Sequence, residues 1–442
     1  MRRLYLKLWF TRRTSWALAL VAFVLACSPG APALVLLAQV LGAILVAALA
    51  IDAVVLLRTR IAVERVVPGQ LSLRRSKSIR YRIENLGASE VTVGVAEGPL
   101  RTLDVLDDDA STAVPARSRA DFDVPVLPIA RGSDCFTAIF AWYQTRLGLL
   151  RRRMRIDAPA EFRVYPDLSA VERYGQLSVR NRLIEAGLRR MRMRGEGTEF
   201  ESVRDYAAGD AFRAIDWKST ARRGKLMVVQ REIERSQDVM LLLDCGRLMT
   251  ARIGEQRKLD YAVTAALSLA TIASLASDRV GVVAFAREIV LARSPRSTAS
   301  SVKALASALC DVEPRFEEAD YAGAFAYVRS HLHRRSLVVL FTDVIDPVAQ
   351  SMVLAEMRSL AKRHVVLCVF MNDAAVARVL AGVPSSVADA YRLDVAAGLE
   401  SERAVAARTL ARAGIYAIDV PAAKMSVAAI DEYLRIKARG IL

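Results

Sequence analysis

The chain has 442 residues, enough for two to four domains of ordinary size. Hydrophobic residues make up 53% of it, which excludes disorder as the overall state, and five cysteines without a CxxC pair exclude a disulfide framework or a structural zinc site of the usual spacing. Lysine and arginine number 63 against 47 acidic residues, so the net charge of +16 favours an anionic partner.

The first predicted element is a membrane anchor within residues 1–58. No charged residue occurs between Thr14 and Ile51, a run of 38 residues that would extend about 57 Å as one helix. A bilayer core is about 30 Å thick, and two prolines and a glycine interrupt the run near residue 30. The pattern therefore predicts a helical hairpin with spans near Leu8–Ala26 and Ala33–Leu57.

Basic residues flank both predicted spans, and the positive-inside rule places both ends of the chain in the cytoplasm. We therefore expect a multi-pass protein of the inner membrane with cytoplasmic soluble domains. Asp52, near the end of the second span, is interpreted as a carboxylate at the interface rather than an intramembrane functional acid. An alternative for the N-terminus is a lipoprotein signal peptide, which Leu25-Ala26-Cys27 loosely resembles.

Residues 59–166 show a hydrophobic period of two. Ile79, Tyr81 and Ile83 alternate with charged residues, and Val91–Val95 repeats the pattern. Short alternating runs separated by turn signals predict a β-sandwich-like domain. Nothing in this stretch indicates catalysis.

A connecting segment, residues 167–236, follows. It contains a predicted basic helix at Arg180–Arg194, for which a solvated face is the commonest role. A location at the cytoplasmic membrane face favours anionic lipid as its partner. No specific nucleic-acid binding is expected, because aromatic residues for base stacking are missing from this helix.

Residues 237–442 alternate apolar strands with helices, which predicts a mostly parallel, Rossmann-like α/β sheet covered on both faces. The predicted strands are Val239–Leu243, Val280–Phe285, Leu337–Phe341, Val365–Phe370 and Tyr416–Val420. The predicted helices lie near Leu259–Ala276, Ser300–Cys310, Tyr321–Leu332, Val353–Arg363 and Leu399–Ala413. Two acids, Asp244 and Asp343, come directly after strands, at the edge where such sheets bind ligands.

The central part of the chain carries a long signature. It includes Gly195-Glu196-Gly197-Thr198-Glu199-Phe200, Arg204-Asp205-Tyr206, Gly209-Asp210, Arg213, Ile215-Asp216-Trp217-Lys218, Ala221-Arg222 and Lys225-Leu226-Met227-Val228. The signature resembles that of the bacterial family known as domain of unknown function 58. Members of this family are membrane proteins with two N-terminal spans, a β-rich domain and a von Willebrand factor A-like domain, and the resemblance covers nearly the whole chain.

The resemblance implies a membrane-anchored scaffold or adaptor that acts with a MoxR-type AAA+ ATPase in the assembly or activation of protein complexes. It implies no enzymatic activity, no catalytic residue and no cofactor, and it leaves the client and the oligomeric state open. The alternative is a metal-dependent hydrolase or nuclease that uses Asp244 and Asp343.

The resemblance also implies a metal-ion-dependent adhesion site, in which the first strand ends in Asp-x-Ser-x-Ser. The corresponding residues here, Asp244-Cys245-Gly246-Arg247-Leu248, keep the acid but lack both serines. Thr298, or the neighbouring Ser297, and Asp343 would supply the later ligands. Because Mg²⁺ needs a full shell of oxygens and Arg247 adds positive charge, we expect this degenerate site not to bind metal.

The predicted partner-binding surface is rich in charge. It comprises Arg204, Asp210, Arg213, Asp216, Trp217, Lys218, Arg222 and Arg247. For Asp216 and Trp217 a role within the domain, in an ion-pair network or as a core anchor, is slightly favoured over a place in an interface. For Arg247 the alternative to docking is an ion pair with a neighbouring acid.

Overall fold

The computed structural model describes residues 7–29, 31–107, 110–167, 199–207, 212, 215–232, 236–296, 299–343 and 347–441. The chain divides into two compact units, Met1–Asp167 and Leu168–Leu442. The predicted basic helix Arg180–Arg194, the predicted partner-binding residues Asp210 and Arg213, and the predicted ligand Thr298 lie outside the described residues.

The first unit begins with a strand and two helices, followed by nine more strands. They are β1 (Lys7–Phe10), α1 (Arg12–Ala26), α2 (Pro32–Arg58), β2 (Ile61–Val66), β3 (Leu71–Ser72), β4 (Lys77–Asn85), β5 (Val91–Glu97), β6 (Leu103–Val105), β7 (Ser111–Val114), β8 (Arg119–Pro128), β9 (Gly132–Thr145) and β10 (Leu150–Tyr165).

The strands of this unit form two sheets. Sheet I has six strands in the order β1-β10-β9-β5-β7, with β3 beside β10, and sheet II has four in the order β2-β4-β8-β6. The alternating side chains Ile79, Tyr81 and Ile83 of β4 enter a core that also contains Val93 and Phe136 of sheet I. The period of two thus places one face of each sheet in a common apolar core.

The second predicted span agrees with α2 to within one residue at each end, and α2 is the one helix of the described chain that is long and apolar enough to cross a membrane. The predicted first span is wrong at its beginning. Lys7–Phe10 pairs antiparallel with β10, and the 15-residue helix α1 begins only at Arg12. The open edge of β10 offers these residues backbone hydrogen bonds, which local apolarity does not reveal.

Asp52 of α2, which the sequence predicts to lie at the membrane interface, is held by hydrogen bonds within the protein. It is buried, and its side chain accepts hydrogen bonds from the Thr145 hydroxyl, from the Leu149 amide at 3.1 Å and from the Leu150 amide at 2.7 Å. These three donors lie at the end of β9, in the turn that follows and at the start of β10, respectively. Asp52 therefore connects the C-terminal part of α2 to the β-rich part of the same unit through hydrogen bonds.

The second unit contains ten strands and eight helices among its described residues. The strands are β11 (Glu199–Asp205), β12 (Met227–Glu232), β13 (Asp238–Asp244), β14 (Arg252–Ile253), β15 (Gln256–Arg257), β16 (Arg279–Phe285), β17 (Ile289–Arg296), β18 (Leu337–Thr342), β19 (Val365–Asn372) and β20 (Tyr416–Pro421). The helices are α3 (Trp217–Arg223), α4 (Lys258–Leu275), α5 (Ala299–Cys310), α6 (Tyr321–His331), α7 (Pro347–Ala361), α8 (Ala374–Leu380), α9 (Val387–Arg412) and α10 (Met425–Ala438).

Six of these strands form sheet III, in the order β17-β16-β13-β18-β19-β20. The sheet is mixed: β17 runs antiparallel to β16, and the other four pairings are parallel. The sequence pattern did not predict β17. Helices α6 and α7 share a core with Met240 and Leu242 of β13, while α4 contacts the same strand.

Candidate functional site

Two buried carboxylates lie at the carboxyl edge of sheet III, where open α/β sheets bind their ligands. Asp244 ends β13, and Asp343 directly follows β18, its neighbour in the sheet. The side chains of Asp244 and Asp343 are 1% and 0% exposed. The structure therefore brings together the two acids that the sequence places at strand ends.

Both carboxylate oxygens of Asp244 accept hydrogen bonds from the protein. Oδ1 accepts from the Gly246 amide at 2.7 Å, and Oδ2 accepts from the hydroxyls of Tyr321 and Thr342, each at 2.7 Å. Burial raises the pKa of Asp244, although these hydrogen bonds oppose the shift. Burial also raises the pKa of Tyr321, which keeps its hydroxyl protonated as a donor.

Asp343 is bound by two cations of its own chain. Its Oδ2 accepts from Lys258 Nζ at the start of α4, and its Oδ1 accepts from Arg403 Nη1 of α9 at 3.1 Å. The side chains of Lys258 and Arg403 are only 14% and 12% exposed. The single negative charge of Asp343 thus compensates one of two nearly buried cations inside the domain.

Arg403 joins a third acid to this cluster. Its Nε and Nη2 donate to the two oxygens of Asp419 on β20 at 2.9 and 2.8 Å, and Nη2 also donates to the Met371 carbonyl at 2.6 Å. Burial alone would lower the pKa of Arg403, but Asp419 and Asp343 raise it above its ordinary value. The guanidinium therefore stays charged and links α9 to strands β19 and β20.

These residues do not fit a magnesium site. Mg²⁺ requires about six oxygens in near-octahedral geometry. Gly246 and Leu248 offer no side-chain oxygen, and each oxygen of Asp343 already holds a cation of the chain. Asp244 and Asp343 are arranged to receive donors from the protein.

Sequence reasoning missed the partners of the two acids. Thr342 could have been found from the sequence, because it lies between the predicted strand Leu337–Phe341 and Asp343. Lys258 and Arg403 had none, because they lie 85 and 60 residues from Asp343 in the chain. Their proximity depends on how α4 and α9 pack on the sheet.

Arg247 forms an ion pair with a neighbouring acid, which the sequence analysis gave as the alternative to docking. Its Nε lies 2.6 Å from Glu318 Oε1, and its backbone amide donates to the Glu317 carbonyl at 2.8 Å. The side chain is 53% exposed. An exposed pair of this kind contributes about 0–1 kcal/mol to the stability of the domain.

The signature residues form a small substructure, here called the hairpin module, which consists of β11, β12 and α3. β11 and β12 pair antiparallel, and α3 lies between them in the chain. Asp216 caps α3: its side chain accepts from the Lys218 amide at 3.1 Å and from the Ser219 hydroxyl at 2.5 Å. The hydrogen bonds from Ser219, with smaller contributions from Lys218, lower the pKa of Asp216. Asp216 therefore has a role within the domain, as the sequence analysis favoured. That role is to cap a helix and not to join an ion-pair network.

Trp217 is not the core anchor that was favoured for it. Met227 and Val228 of the module are buried, as is Ile215 just before Asp216, whereas Trp217 is 65% exposed. Lys218 and Arg222, two more of the predicted partner-binding residues, are exposed on the same short helix. Arg204 lies on β11. Helix α3 thus exposes an aromatic ring and two of the predicted basic side chains.

The comparisons with known proteins bear on this part of the chain. Residues 202–389 match the family described as "Protein of unknown function DUF58", which confirms the resemblance over these residues. An uncharacterized protein of Mycobacterium tuberculosis is 25% identical over 297 residues, which are 63% of this chain and 92% of that protein. The uncharacterized protein YeaD of Bacillus subtilis is 51% identical over 43 residues, 10% of this chain and 11% of that protein.

Two solved structures show distant likenesses to this chain. The conserved hypothetical protein BatB from Bacteroides thetaiotaomicron has a TM-score of 0.31 at 15% identity, over 45% of this chain and 99% of its own. The ASH/PapD-like domain of human CEP192 has a TM-score of 0.19 at 11% identity, over 25% of this chain and 87% of its own. At such scores neither likeness carries an argument about function.

Proposed function

We propose that the protein is a membrane-anchored scaffold or adaptor that acts with a MoxR-type AAA+ ATPase in the assembly or activation of protein complexes. The observation that carries the proposal is the exposure of Trp217, within the residues that match the family. The class of the partner comes from the family resemblance. The docking surface comes from the hairpin module.

The surface around Trp217 has the character of a protein interface. Tryptophan and arginine are enriched among the residues that dominate binding energy, and an exposed ring gains most from burial against a partner. Lys218 and Arg222, exposed on the same short helix, add positive charge to this surface. Such a rim suits an acidic patch, which it would steer and select more than it would tighten binding.

We further propose that the sheet III domain is von Willebrand factor A-like but binds without a metal. Numbered along the chain, its strands have the order 3-2-1-4-5-6, which is one of the two common doubly wound arrangements. Its carboxyl edge offers a self-neutralised cluster in place of a metal-bound carboxylate acceptor. Direct contacts by groups such as Arg247 and Trp217 are then the means of adhesion.

The metal-dependent hydrolase or nuclease is disfavoured by the same cluster. A carboxylate that acts as a metal ligand or general base needs an oxygen free for that purpose. Both oxygens of Asp244 and both of Asp343 are engaged by neighbouring donors. The engagement favours a structural role for the two acids.

For the anchor we propose that α1 and α2 both cross the inner membrane, with both termini cytoplasmic. α2 has the required length. α1 has 15 residues and would extend only about 22 Å, so its crossing requires a locally thinned bilayer, but it exposes large apolar side chains such as Trp16 and Phe23. A C-terminal alkaline phosphatase fusion should stay inactive, because that enzyme matures only outside the cytoplasm. Strong phosphatase activity would contradict this topology.

The adaptor proposal is tested by capture of the ATPase. Full-length protein, solubilised in mild detergent, is used to capture the MoxR-type ATPase of the same organism. Trp217→Ala should weaken capture about 30-fold or more, as expected for a dominant interface residue. Tyr391→Ala is the matched control, because it removes an exposed ring from a different helix, α9, and it should leave capture unchanged. Undiminished capture by Trp217→Ala would refute this docking surface.

A further inference from the structure

The turn between β9 and β10 lies against the start of α1. We call residues 146–149 of this turn the anchor turn. The Thr11 amide donates to the Leu149 carbonyl at 3.1 Å, and the Thr14 hydroxyl donates to the same oxygen. The Thr11 hydroxyl donates to the Gly148 carbonyl at 2.6 Å. The residues at the start of α1 thus supply hydrogen bonds to the carbonyls of the anchor turn.

Arg13 of α1 and Asp52 of α2 add further hydrogen bonds to the anchor turn. Arg13 Nη1 donates to the Leu147 carbonyl at 3.4 Å. Asp52 accepts from the Leu149 amide at 3.1 Å and from the Leu150 amide at 2.7 Å. The carbonyls of residues 147–149 and the amides of residues 149 and 150 therefore have partners within the protein. These backbone groups do not depend on water for their hydrogen bonds.

The course of α2 indicates the level of the anchor turn. After Asp52 the helix runs along sheet I, where the Leu56 carbonyl accepts from Arg152 Nη1 at 3.0 Å and from the Tyr143 hydroxyl at 3.3 Å. Before Asp52 the helix has 20 residues, which extend about 30 Å. This length equals the thickness of the hydrocarbon core of a bilayer. A membrane crossed by residues 32–51 therefore has its boundary at the anchor turn.

Apolar and basic side chains are exposed at this level. Leu147 of the anchor turn is 50% exposed, and Phe10, two residues before α1, is 67% exposed. Arg12 and Arg146, close to them in the chain, are exposed as well. Leucine and phenylalanine side chains gain from leaving water, whereas long basic side chains reach from the boundary to the headgroups. This combination is typical of a surface that meets the membrane interface.

We propose that the anchor turn enters the bilayer interface, with Leu147 among the acyl chains beneath the headgroups, an inference that rests on the membrane anchoring proposed above. Irregular backbone is tolerated at membrane depth only where its polar groups have partners, a condition that the hydrogen bonds of the anchor turn meet. Amphipathic segments at an interface bury their apolar face about 5–10 Å into the boundary between headgroups and acyl chains. The β-rich part of the unit then rests directly on the membrane surface.

A protein partner is the other occupant that could cover an exposed leucine. The anchor turn, however, is continuous with helices that expose apolar side chains along their length, such as Val40, Ile44 and Val46 of α2. The lipid that surrounds these side chains extends to the boundary at which the anchor turn lies. The continuity of turn and anchor therefore favours the bilayer over a protein partner.

The test measures the depth of a nitroxide spin label in the full-length protein, reconstituted into vesicles of equal parts phosphatidylethanolamine and phosphatidylglycerol. The exposed Cys27 and Cys135 are first replaced by serine. Leu147→Cys carries the label, and its collisions with oxygen, which dissolves in the bilayer, are compared with those of a nickel chelate, which stays in water. The oxygen-to-nickel ratio at Leu147 should exceed that at Ile129→Cys several-fold. Ile129 is the matched control, an exposed aliphatic residue just before the other end of β9, whose 14 residues extend about 45 Å.

Two further labels separate the possible outcomes. Val40→Cys places the label within α2 and should give a bilayer ratio, while Phe10→Cys reports the level of the turn with Leu147 unchanged and should also exceed the control. A water-like ratio at Leu147 or at Phe10, with a bilayer ratio at Val40, would overturn the proposal and leave the anchor intact. A water-like ratio at Val40 would overturn both. Shielding of Leu147 from both reagents would overturn the proposal and assign the turn to a protein interface.

Discussion

At each of the two edges of sheet III a buried acid is paired with a lysine from a helix. At the carboxyl edge Asp343 is bound by Lys258 and Arg403. At the amino edge Asp278, equally buried, accepts from Lys437 Nζ at 2.6 Å and from the Tyr433 hydroxyl at 2.5 Å. Ligand sites of such sheets occur at the carboxyl edge, so the amino-edge group is a structural reference for the other.

The clusters around Asp343 and Asp278 are alike, which indicates that a position at the end of a strand does not by itself make an acid functional. A buried carboxylate needs a counter-charge and hydrogen bonds wherever it lies, since an uncompensated one costs several kcal/mol. In both places a helix supplies the cation: α4 and α9 at one edge, α10 at the other. The comparison favours a structural role for Asp343.

The largest expected effect is that of removing Asp343. Asp343→Ala removes the counter-charge of the Lys258 ammonium and one of the two acids paired with Arg403, which leaves positive charge uncompensated in a buried site. We therefore expect the free energy of unfolding of this domain to fall by about 3–5 kcal/mol. Hydrogen exchange of the β13 and β18 amides in the full-length protein measures it. Glu318→Ala, at the exposed pair with Arg247, is the control and should cost less than about 1 kcal/mol. Equal costs for the two variants would show that the cluster is not stabilising.

The second prediction distinguishes the two edges. Lys437→Met removes the one cation paired with Asp278 among the described residues, whereas Lys258→Met leaves Arg403 on Asp343. We therefore expect Lys437→Met to cost about 3–5 kcal/mol and Lys258→Met clearly less. The same exchange experiment reports both, with the exposed Lys362→Met as a neutral control. A larger loss for Lys258→Met would mean that Arg403 does not compensate Asp343.

A buried base without a partner provides the contrast to the paired acids. His364 is 4% exposed, and neither ring nitrogen has a hydrogen-bond partner among the described residues. Burial, with a smaller contribution from Arg363, lowers the pKa of His364. The unfolded chain takes up the proton near its ordinary pKa of about 6.5, while the folded chain resists it, so stability is lost as the pH falls below that value.

The expected slope below about pH 6.5 is up to about 1.4 kcal/mol per pH unit. It is measured by chemical denaturation of the sheet III domain within the full-length protein between about pH 7.5 and 5.5. His364→Leu should flatten the slope, and His333→Leu, at an exposed histidine, should not. An unchanged slope in His364→Leu would assign the pH dependence to other groups.

Among these substitutions, breaking the exposed ion pair between Arg247 and Glu318 should change the stability least. Arg247→Glu places two acids side by side at a solvated site, so we expect a loss below about 1 kcal/mol and a nearly unchanged melting temperature. Under the adaptor proposal the same change weakens capture of the ATPase. A variant that unfolds, or that captures the ATPase as well as wild type, would remove Arg247 from the docking surface.

No effect is expected from magnesium. Since the oxygens of Asp244 and Asp343 are engaged, adding Mg²⁺ should leave the melting temperature unchanged. A bound ligand at 100 times its Kd would add about 2.7 kcal/mol, a shift that is easily measured. A shift that Asp244→Ala abolishes would show that Mg²⁺ binds at the carboxyl edge and that the two edges differ in function after all.

Regular patterns in the sequence predicted regular structure well. The strands β13, β18 and β19 agree with the prediction to within two residues at each end, because continuous apolar runs between breakers indicate buried parallel strands. The edge strand β17 was missed, because its mixed polar and apolar residues face solvent on one side. Helix α9 begins 12 residues before its predicted start, where its exposed turns carry no core periodicity.

The sequence by itself determined the apolar anchor helix α2, the alternating β-rich segment and the two acids at neighbouring strand ends, because each follows from the order of residues along a few turns or strands. Tertiary structure decided what those acids do. Lys258 and Arg403 meet Asp343 across 85 and 60 residues of chain, and Asp52 meets its turn across 98. Charge compensation depends on distances in space, and no local pattern encodes which distant cation will fill a buried site.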